Sequence, residues 1–282
     1  MIIDGKKVSK IMRDEIRNEI EELKGKGFVP GLAVVIVGEN PASQSYVRSK
    51  QKTCDALGIY SEKYELPVDT TEEELLDLVD GLNNNSKIHG ILVQLPLPKH
   101  MDENKVIERI NPKKDVDGFH PISVGNLSIG FDGMKPCTPY GVIKLLEHYD
   151  IPVEGKHAVV LGRSNIVGKP VSMMLLQKNA TVTVCHSRTQ DLEAILKSAD
   201  IIVVAIGRPG FLTKEMVKEG AVVIDVGINR VDGKIVGDVK YDEVFPLASY
   251  ITPVPGGVGP MTITMLMYNT LKACREHYFD AK

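Results

Sequence analysis

The chain has 282 residues, of which 43% are hydrophobic and 25% charged, and its net charge is −3 at pH 7. The length accommodates two domains or one large one, and the composition is ordinary for a soluble globular protein. The small net charge, the few aromatic residues and the absence of tryptophan argue against partners such as nucleic acid or an anionic membrane.

The four cysteines lie far apart and include no Cys-x-x-Cys, so they predict neither a zinc site nor a disulfide framework. They favour a reducing compartment. The sequence following Met1 has no signal-peptide pattern, and no uncharged apolar run reaches transmembrane length. We therefore expect a cytoplasmic protein.

Helices and strands are predicted to alternate in the first half of the chain, which is typical of an α/β unit with a parallel sheet. A helix through Leu82 is predicted to begin with a capping box of Thr70 and Glu73. The predicted elements are, in order, an amphipathic helix over about 6–24, a buried strand at 32–37, a helix at 43–57, a strand at 60–66, the capped helix, a strand at 88–94 and a short helix at 104–110.

Residues 111–139 interrupt the alternation with charged residues, glycines and prolines, which predicts a junction between domains. A second α/β unit is then predicted from about 153 to 250. A helix at 140–149 leads from the junction towards this unit, which contains strands near Ala158, Thr181, Ile201 and Val222 with helices between them, and a hairpin at 228–236 turning at Asp232-Gly233. A last strand at 250–254 and a final helix at 263–277 follow.

The stretch from Val159 to Pro170 combines an apolar strand, a polar loop that starts at Gly162 and the beginning of a helix. Unpaired N–H groups at a helix N-terminus make such a loop a phosphate site. Because Ser164 replaces the second glycine of Gly-x-Gly-x-x-Gly, the loop alone does not separate a dinucleotide site from an ordinary strand–turn–helix connection.

The next strand ends in His186-Ser187-Arg188, roughly 20–25 residues after Gly162, where NAD-binding folds usually place a carboxylate on the ribose. No carboxylate stands there. Ser187 and Arg188, with Arg163 in the first loop, suit the 2′-phosphate of NADP. The alternative is a solvated loop with two surface arginines.

Tyr46 and Lys50 lie one turn apart on one face of the predicted helix at 43–57. Short-chain dehydrogenases use a Tyr-x-x-x-Lys pair, but theirs follows the nucleotide loop, whereas this one precedes it. Chain order therefore excludes that family. Gln94 ends a predicted strand, where α/β folds place ligand-binding groups. Singly, each of these residues also fits an ordinary structural position.

Asp115 and Asp117 lie in the junction, and either carboxylate offers two acceptors for paired N–H donors. The sequence leaves open which of them binds a ligand and whether both are simply turn residues. The glycines within 256–259 would let backbone approach a flat ligand closely, or would form a flexible turn before the last helix.

Together these residues resemble the bifunctional methylenetetrahydrofolate dehydrogenase/methenyltetrahydrofolate cyclohydrolase family. The resemblance covers essentially the whole chain, and no motif position departs from the family's pattern. The motifs, in the family's order, are Tyr46-Val47-Arg48-Ser49-Lys50, Gly90 through Pro98, Asp115-Val116-Asp117-Gly118-Phe119, Gly162-Arg163-Ser164 through Val167-Gly168-Lys169-Pro170, and Pro255 through Thr262.

The resemblance implies two α/β domains with a cleft between them, the second a Rossmann-like, mostly parallel sheet. Residues 1–138 plus a C-terminal helix at 263–282 would form the substrate and catalytic domain, and residues 139–262 the NADP-binding domain. The implied reactions of one-carbon metabolism, which serve purine biosynthesis, are NADP-dependent oxidation of 5,10-methylenetetrahydrofolate to 5,10-methenyltetrahydrofolate and its hydrolysis to 10-formyltetrahydrofolate. The resemblance also implies a homodimer, formed in part by the hairpin, and it implies no metal site.

By family position, Lys50 is the central catalytic residue, and Tyr46 and Gln94 support it. Handling protons during hydrolysis requires a lysine of lowered pKa, which burial would provide. The implied substrate-binding residues are Asp117, which would hold the pterin ring, Tyr46, Leu97, Pro98, Pro255, Gly256 and Gly257. The implied cofactor-binding residues are Gly162, Arg163, Ser164, Val167, Gly168, Ser187, Arg188 and Ile228.

Two other functions are compatible with parts of the sequence. An NADP-dependent dehydrogenase of another small metabolite, of the shikimate-dehydrogenase kind, explains the two α/β domains but neither Asp117 nor the Pro255 stretch. A non-catalytic NADP sensor or scaffold does not explain why Tyr46, Lys50 and Gln94 are all intact.

Overall fold

The computed structural model describes residues 1–280, which form two compact units. The first contains residues 1–10 and 138–262, and we name it the five-stranded unit after its main sheet. The second contains residues 11–137 and the chain from residue 263, and we name it the three-stranded unit. The predicted alternation of helices and strands is confirmed in both units.

The three-stranded unit contains one parallel sheet with strand order β2-β1-β3. Every residue of its central strand is buried, because that strand has a neighbour on each side and packed faces. The elements of this part of the chain are α1 (Gly5–Gly25), β1 (Gly31–Val37), α2 (Pro41–Leu57), β2 (Tyr60–Leu66), α3 (Glu72–Asn84), β3 (Gly90–Val93), α4 (Glu103–Arg109), a 3-10 turn (Pro112–Lys114) and α5 (Pro121–Ile129).

The capping box of α3 lies one residue later than predicted. The hydroxyl of Thr71 accepts a hydrogen bond from the Glu74 N–H, and the Glu74 carboxylate accepts one from the Thr71 N–H. Thr70, the predicted cap, is buried. Because Thr70 and Glu73 have the same spacing as Thr71 and Glu74, the sequence contains two matches to the motif, and the predicted one was wrong.

The junction at 111–139 contains a helix that the sequence analysis missed. In α5, the His120 side chain accepts a hydrogen bond from the Ile122 N–H, Pro121 occupies the first turn, and Gly130 ends the helix at φ 80°. These are ordinary start and stop signals. They were obscured because the helix is short and contains Gly125.

The five-stranded unit contains a parallel sheet with strand order β10-β7-β6-β4-β5. Its elements are α6 (Cys137–His148), β4 (His157–Leu161), α7 (Gly168–Gln177), β5 (Thr181–Cys185), α8 (Leu192–Ser198), β6 (Ile201–Val204), a 3-10 turn (Lys214–Met216), β7 (Val222–Asp225), β8 (Asn229–Val231), β9 (Lys234–Val236), α9 (Tyr241–Val244), β10 (Tyr250–Ile251) and α10 (Val258–Asp280), which continues into the three-stranded unit. The order reverses between β4 and β6, and in Rossmann-like sheets a ligand binds beyond the carboxyl ends of the strands at such a point.

The predicted hairpin is confirmed. Its turn residues Asp232 and Gly233 both have positive φ values, 49° and 76°, as a two-residue type I′ turn requires.

The last helix begins earlier than predicted. It starts at Val258 rather than Ile263, so residues 258–262 are helical and only Pro255 to Gly257 lie in the connection. Gly259 and Pro260 made this start hard to predict, because glycine and proline usually interrupt helices. A proline is nevertheless tolerated in a first turn, where its missing N–H is not needed.

Residues 1–10 were expected in the substrate domain, but in the structure they group with the five-stranded unit. The Ile3 N–H donates to the Ile251 carbonyl over 2.8 Å, and the Ile251 N–H donates to the Met1 carbonyl over 3.0 Å. The start of the chain thereby extends the edge of the sheet beside β10. Within residues 1–280, no helix combines the length and the apolar character needed to cross a membrane.

Candidate active site and nucleotide site

The candidate catalytic residues of the three-stranded unit follow the carboxyl ends of its parallel strands. Gln94 comes directly after β3, and its N–H donates to the Val35 carbonyl of β1 over 2.8 Å. Asp115 pairs with Ile91 in an isolated parallel bridge, so Asp117 leaves the sheet at the same edge as Gln94. Ligands of α/β folds bind at this edge.

Lys50 and Gln94 are brought together by a direct hydrogen bond. Lys50 Nζ donates to Gln94 Oε1 over 2.8 Å, and Gln94 Nε2 donates to the Leu95 carbonyl over 2.7 Å. The amide is therefore held on both sides and fixes the position of the lysine nitrogen. Within residues 1–280, no carboxylate forms an ion pair with Lys50, so the lysine lacks the partner that a buried ammonium usually has.

The environment of Lys50 disfavours its charged form. The side chain is only 8% exposed, and burial lowers its pKa, while nearby Asp117, Cys137 and Cys54 act in the opposite direction. The expectation that burial lowers the pKa of this lysine is thus confirmed. Lowering the pKa of a lysine makes its neutral amine, which can accept a proton, more accessible than in an exposed lysine.

The structure distinguishes the two junction carboxylates that the sequence left equivalent. Asp115 is buried and accepts four hydrogen bonds of 2.7–3.2 Å within its own loop. The donors are the N–H groups of Gly118, Phe119 and His120 and the hydroxyl of Ser123. Four donors fill the acceptor positions of the Asp115 carboxylate, so Asp115 stabilises the loop. Of the two carboxylates, Asp117 is therefore the one that can accept hydrogen bonds from a ligand.

Asp117 is half-buried. Burial raises the pKa of its carboxyl group to about 6, and Asp115 acts in the same direction, whereas nearby Lys50 and the Cys137 thiol oppose the shift. A carboxylate of this kind gains from a ligand that donates hydrogen bonds, because such a ligand replaces the water that burial removed.

The backbone carrying Asp117 is held by residues that the sequence analysis did not single out for this purpose. Asn269 of α10 donates to the carbonyls of Val116 and Lys135 over 2.8 and 2.9 Å. Cys137 Sγ donates to the Val116 carbonyl over 3.3 Å, and burial raises the pKa of this thiol well above its usual value, so it stays a donor. No local sequence pattern signals these long-range contacts.

The other predicted residues of the three-stranded unit border this edge. Tyr46 lies one turn before Lys50 on α2 and is 37% exposed. Leu97 is buried and Pro98 half-buried, in the turn that follows Gln94. Within residues 1–280, no three His, Cys, Asp or Glu side chains form a group that could hold a metal ion.

In the five-stranded unit, the segment 162–168, named here the nucleotide loop, has no room for side chains at its two ends. Gly162 has a φ of 126°, and a Cβ on it would lie 2.3 Å from the Ala205 carbonyl oxygen. A Cβ on Gly168 would lie 2.2 Å from the Gly162 carbonyl oxygen. Glycine at both positions therefore lets the start of α7 approach the end of β4.

Ser164 has a structural use at the position where a glycine was expected. Its hydroxyl accepts hydrogen bonds from the N–H groups of Val167 and Gly168, over 3.2 and 3.3 Å. Among the hydrogen bonds of residues 1–280, by contrast, the N–H groups of residues 163–166 have no protein acceptor. Consecutive free N–H groups before a helix fit a phosphate of a dinucleotide.

The predicted 2′-phosphate residues follow the neighbouring strand. Leu161 pairs with Cys185, so the nucleotide loop and the turn at 186–189 leave the sheet side by side. Thr189 Oγ1 accepts from the His186 N–H over 2.8 Å and shapes this turn. Arg163, Ser187 and Arg188 are exposed, and within residues 1–280 no carboxylate pairs with either arginine. The donor set fits the additional phosphate of NADP.

The glycines of the Pro255 stretch are required by protein contacts within the same unit. Gly256 has a φ of 110°, and its carbonyl accepts from the Lys6 N–H over 3.2 Å. A Cβ on Gly257 would lie 2.6 Å from the Pro253 carbonyl oxygen. Pro255, Gly256 and Gly257 thus form a backbone turn packed against the start of α1.

Ile228, the remaining predicted cofactor residue, is 48% exposed. Its Cδ1 would lie 3.8 Å from a Cβ on Gly259, so it sits beside the first turn of α10. Two buried carboxylates near it, Asp225 and Asp238, were not predicted. The available signal was an aspartate ending the apolar strand 222–225.

The comparison with known families matches nearly the whole chain. The model described as "Tetrahydrofolate dehydrogenase/cyclohydrolase, catalytic domain" matches residues 3–117, and its NAD(P)-binding domain counterpart matches residues 136–278. The bifunctional protein FolD of Halalkalibacterium halodurans is 59% identical over 276 residues, which cover 98% of this chain and 99% of that protein.

Solved structures of the same family have the same fold as this chain. The bifunctional enzyme FolD, methylenetetrahydrofolate dehydrogenase/cyclohydrolase, from Campylobacter jejuni is 53% identical with a TM-score of 0.97, covering 98% of this chain and 99% of that one. The Trypanosoma brucei FolD, solved with NADP cofactor and inhibitor, is 42% identical with a TM-score of 0.95, covering 99% and 98% of the two chains. Shikimate dehydrogenase from Aquifex aeolicus, at 16% identity and a TM-score of 0.52, shares the fold alone. The chain belongs to the tetrahydrofolate dehydrogenase/cyclohydrolase family.

Proposed function

We propose that this chain is a bifunctional enzyme of folate one-carbon metabolism. It oxidises 5,10-methylenetetrahydrofolate to 5,10-methenyltetrahydrofolate with NADP⁺ and hydrolyses the product to 10-formyltetrahydrofolate. The observation that carries the proposal is the buried Lys50, held by Gln94 and close enough to Asp117 to affect its pKa. Relatives at 53% and 59% identity that are named as bifunctional support the same two reactions.

Asp117 binds the pterin ring in this proposal. The ring presents a 2-amino group and an N3–H on one edge, and a carboxylate accepts from both. Because the acceptor sites of Asp115 are occupied by its own loop, Asp117 is the carboxylate of this junction that can do so. Leu97 and Pro98 line the adjacent turn and contact the substrate's apolar surface.

Lys50 serves the hydrolysis. Attack of water on the methenyl carbon requires a group that takes a proton from that water, which is general base catalysis. The neutral amine donates one N–H to Gln94 Oε1 and keeps its lone pair for the water proton. Burial already lowers the pKa of Lys50, and the positive charge of the methenyl substrate disfavours the ammonium further. Tyr46, one turn away, helps to orient the substrate.

The oxidation makes different demands on the chain. When bound, NADP⁺ supplies the hydride acceptor, and loss of hydride from the methylene bridge releases no proton. The protein therefore contributes mainly by orienting two rings. The N–H groups of the nucleotide loop hold phosphate, Ser187, Arg188 and Arg163 hold the 2′-phosphate, and Ile228 borders the nicotinamide. Pro255, Gly256 and Gly257 border both ligands.

We assign the substrate and catalytic role to the three-stranded unit and the cofactor role to the five-stranded unit, with domain limits near 138 and 263. The protein acts as a cytoplasmic homodimer that supplies one-carbon units for purine biosynthesis. The exposed apolar side chains of the hairpin, Val231 and Ile235, support the dimer, and four free, buried cysteines suit a reducing compartment. Sedimentation of the wild type against Val231→Asp tests the dimer, since a monomeric wild type would contradict it.

The direct test of function is absorbance of the purified protein with 5,10-methylenetetrahydrofolate and NADP⁺, following NADPH and the methenyl intermediate separately. We expect NADPH to form without lasting methenyl absorbance. Methenyl accumulating well beyond a no-enzyme hydrolysis control would contradict the second activity. Folded protein that forms neither NADPH nor, with NAD⁺, NADH would contradict both.

A further inference from the structure

Two buried aspartates lie at the carboxyl ends of β6 and β7, and the proposed reactions do not use them. Asp225 ends β7 and is 3% exposed, and Asp238, which follows the hairpin, is fully buried. Within residues 1–280 neither forms an ion pair, and all their side-chain hydrogen bonds come from N–H groups. Burying two carboxylates without a cation is energetically unfavourable, which suggests that the two side chains have a role in this protein.

Asp238 ties the segment after β6 to the start of the hairpin. Its Oδ2 accepts from the N–H groups of Ile206 and Gly207 over 2.8 and 2.9 Å. Its Oδ1 accepts from Asn229 Nδ2 over 2.8 Å.

Asp225 holds the same region from the other side. Its Oδ1 accepts from the N–H groups of Gly227 and Asp238, over 2.9 and 3.0 Å, and its Oδ2 accepts from the Val239 N–H over 3.0 Å. Gly227 and Asn229 are thus each bound to a buried carboxylate, and Ile228 lies between them.

The surrounding backbone is packed tightly against the pair. A Cβ on Gly237 would lie 1.9 Å from Asp225 Oδ2, and a Cβ on Gly227 would lie 2.3 Å from Asp238 Oδ1. Glycine at these two positions admits the carboxylates and leaves them no room to move. The carboxylates are therefore packed directly against the segments that they hold.

These segments lie near the nucleotide loop without belonging to it. Ile206 follows Ala205, whose carbonyl oxygen faces Gly162 of that loop. Ile228 is 48% exposed and presents an apolar surface beside the first turn of α10. A flat ring can be held in orientation by a fixed wall of this kind, which contacts its face.

We propose that Asp225 and Asp238 are positioning residues for hydride transfer, which fix residues 206–207 and 227–229 and so hold Ile228 as a rigid wall against the nicotinamide ring. The inference rests on the proposed function. Neither aspartate touches a ligand, and neither acts in the hydrolysis, whose residues belong to the three-stranded unit.

The chemistry of the pair explains why carboxylates occupy both positions. All six hydrogen bonds are donated to the side chains, so an amide would place N–H against N–H at one of its two ends. Burial raises the pKa of Asp225 to about 6, and Asp238 contributes to this shift, while three backbone N–H groups oppose it.

The first variant is Asp238→Asn. It replaces the carboxylate that accepts a hydrogen bond from the Asn229 amide with a second amide. We expect at least about a tenfold loss of dehydrogenase kcat/KM, equivalent to about 1.4 kcal/mol, with cyclohydrolase activity on 5,10-methenyltetrahydrofolate within twofold of the wild type. NADPH affinity, measured by fluorescence without turnover, is expected to fall as well. Asp200→Asn, in a partly exposed ion pair with Lys218 of the same unit, is the matched control and should change none of these.

The double variant Asp238→Asn with Asn229→Asp provides the rescue. It reverses the donor and acceptor of the 2.8 Å hydrogen bond and leaves one oxygen for Ile206 and Gly207. We expect dehydrogenase activity and NADPH affinity to recover to within about threefold of the wild type, whereas Asn229→Asp alone, which places a second carboxylate against Asp238, should lower both.

Ile228→Ala tests the role of the Ile228 wall if the buried variants fail to fold. The Ile228 side chain is half-exposed, so truncating it leaves the core intact. We expect a lower dehydrogenase kcat at an unchanged melting temperature and unchanged cyclohydrolase activity. Equal losses of both activities in Asp238→Asn, or an unaffected dehydrogenase in Ile228→Ala, would overturn the proposal. A wild type lacking both activities would instead refute the proposed function.

Discussion

The two units place functional groups at the same edge of a parallel sheet, but by different means. The three-stranded unit uses two ionisable side chains, the buried Lys50 and the half-buried Asp117, whose pKa values are both shifted by burial. The nucleotide loop of the five-stranded unit uses backbone N–H groups, glycines that leave no room for a Cβ, and exposed arginines. One site is therefore expected to respond to pH and to single charges, and the other to added volume.

The largest effect is expected from adding volume to the nucleotide loop. In Gly162→Ala the new Cβ would meet the Ala205 carbonyl oxygen at 2.3 Å, and the alanine would have to adopt φ 126°. Overlap and strain of this kind cost about 1–3 kcal/mol, so the KM for NADP⁺ should rise roughly tenfold or more in steady-state assays, with cyclohydrolase activity retained.

The matched control for that variant is Gly155→Ala. Gly155 also has a positive φ, 70°, but a Cβ on it would meet nothing within 4 Å. It adds a Cβ at a positive φ without the overlap, so its KM for NADP⁺ should stay near that of the wild type. Equal effects of the two variants would mean that the rise in KM comes from backbone strain and not from overlap at the nucleotide loop.

The next effect concerns the charge of Asp117. Asp117→Asn keeps one acceptor oxygen but loses the charge that strengthens bonds from the pterin edge, which is worth about 1.5–3 kcal/mol. We expect the folate KM to rise about tenfold or more in both reactions, while NADPH binding, measured by fluorescence, does not change. A folate KM that rises in only one reaction would contradict a shared pterin site.

A smaller, selective effect is expected at the 2′-phosphate residues. Arg188→Ser removes an exposed cation that has no carboxylate partner within residues 1–280, so the fold should not be disturbed. The KM for NADP⁺ is expected to rise several-fold and the KM for NAD⁺ to stay unchanged, since NAD⁺ lacks the phosphate. Kinetics with both dinucleotides measure this, and a parallel rise would place Arg188 elsewhere on the cofactor.

The smallest effect concerns stability and pH. Burial raises the pKa of Asp117 to about 6, above the value of about 3.9 in an unfolded chain. The folded protein thus holds this proton more tightly, so the contribution to the free energy of unfolding is full below about pH 4 and is lost as the pH rises through about 6. Asp117→Asn removes that loss, so its melting temperature relative to the wild type should be higher at pH 8 than at pH 4. An equal difference at both pH values would contradict the raised pKa.

Patterns local in sequence predicted most of the fold. The apolar run of β1, the helical spacing of α2 and the Asp232-Gly233 turn each reflect a few neighbouring residues, and all are confirmed. Where two overlapping matches exist, as with Thr70 and Thr71, the sequence has no means of choosing.

The candidate site was less predictable, because it depends on contacts between distant residues. Lys50 and Gln94 were identified separately, but their hydrogen bond joins α2 to the end of β3 and has no local signature. Asp115 and Asp117 are chemically identical, and only the four donors around Asp115 separate them. The Asp225 and Asp238 pair was missed because five of its six hydrogen-bond donors are backbone N–H groups, which every sequence has.

The central claim is that Lys50 is needed far more for hydrolysis than for hydride transfer, and measuring both rates in Lys50→Met tests it most directly. Lys52→Met, an exposed lysine on the same helix, is the matched control. We predict that Lys50→Met loses nearly all cyclohydrolase activity, retains measurable NADPH formation and accumulates methenyltetrahydrofolate, while Lys52→Met keeps both rates. Equal losses of the two rates in Lys50→Met would contradict the account.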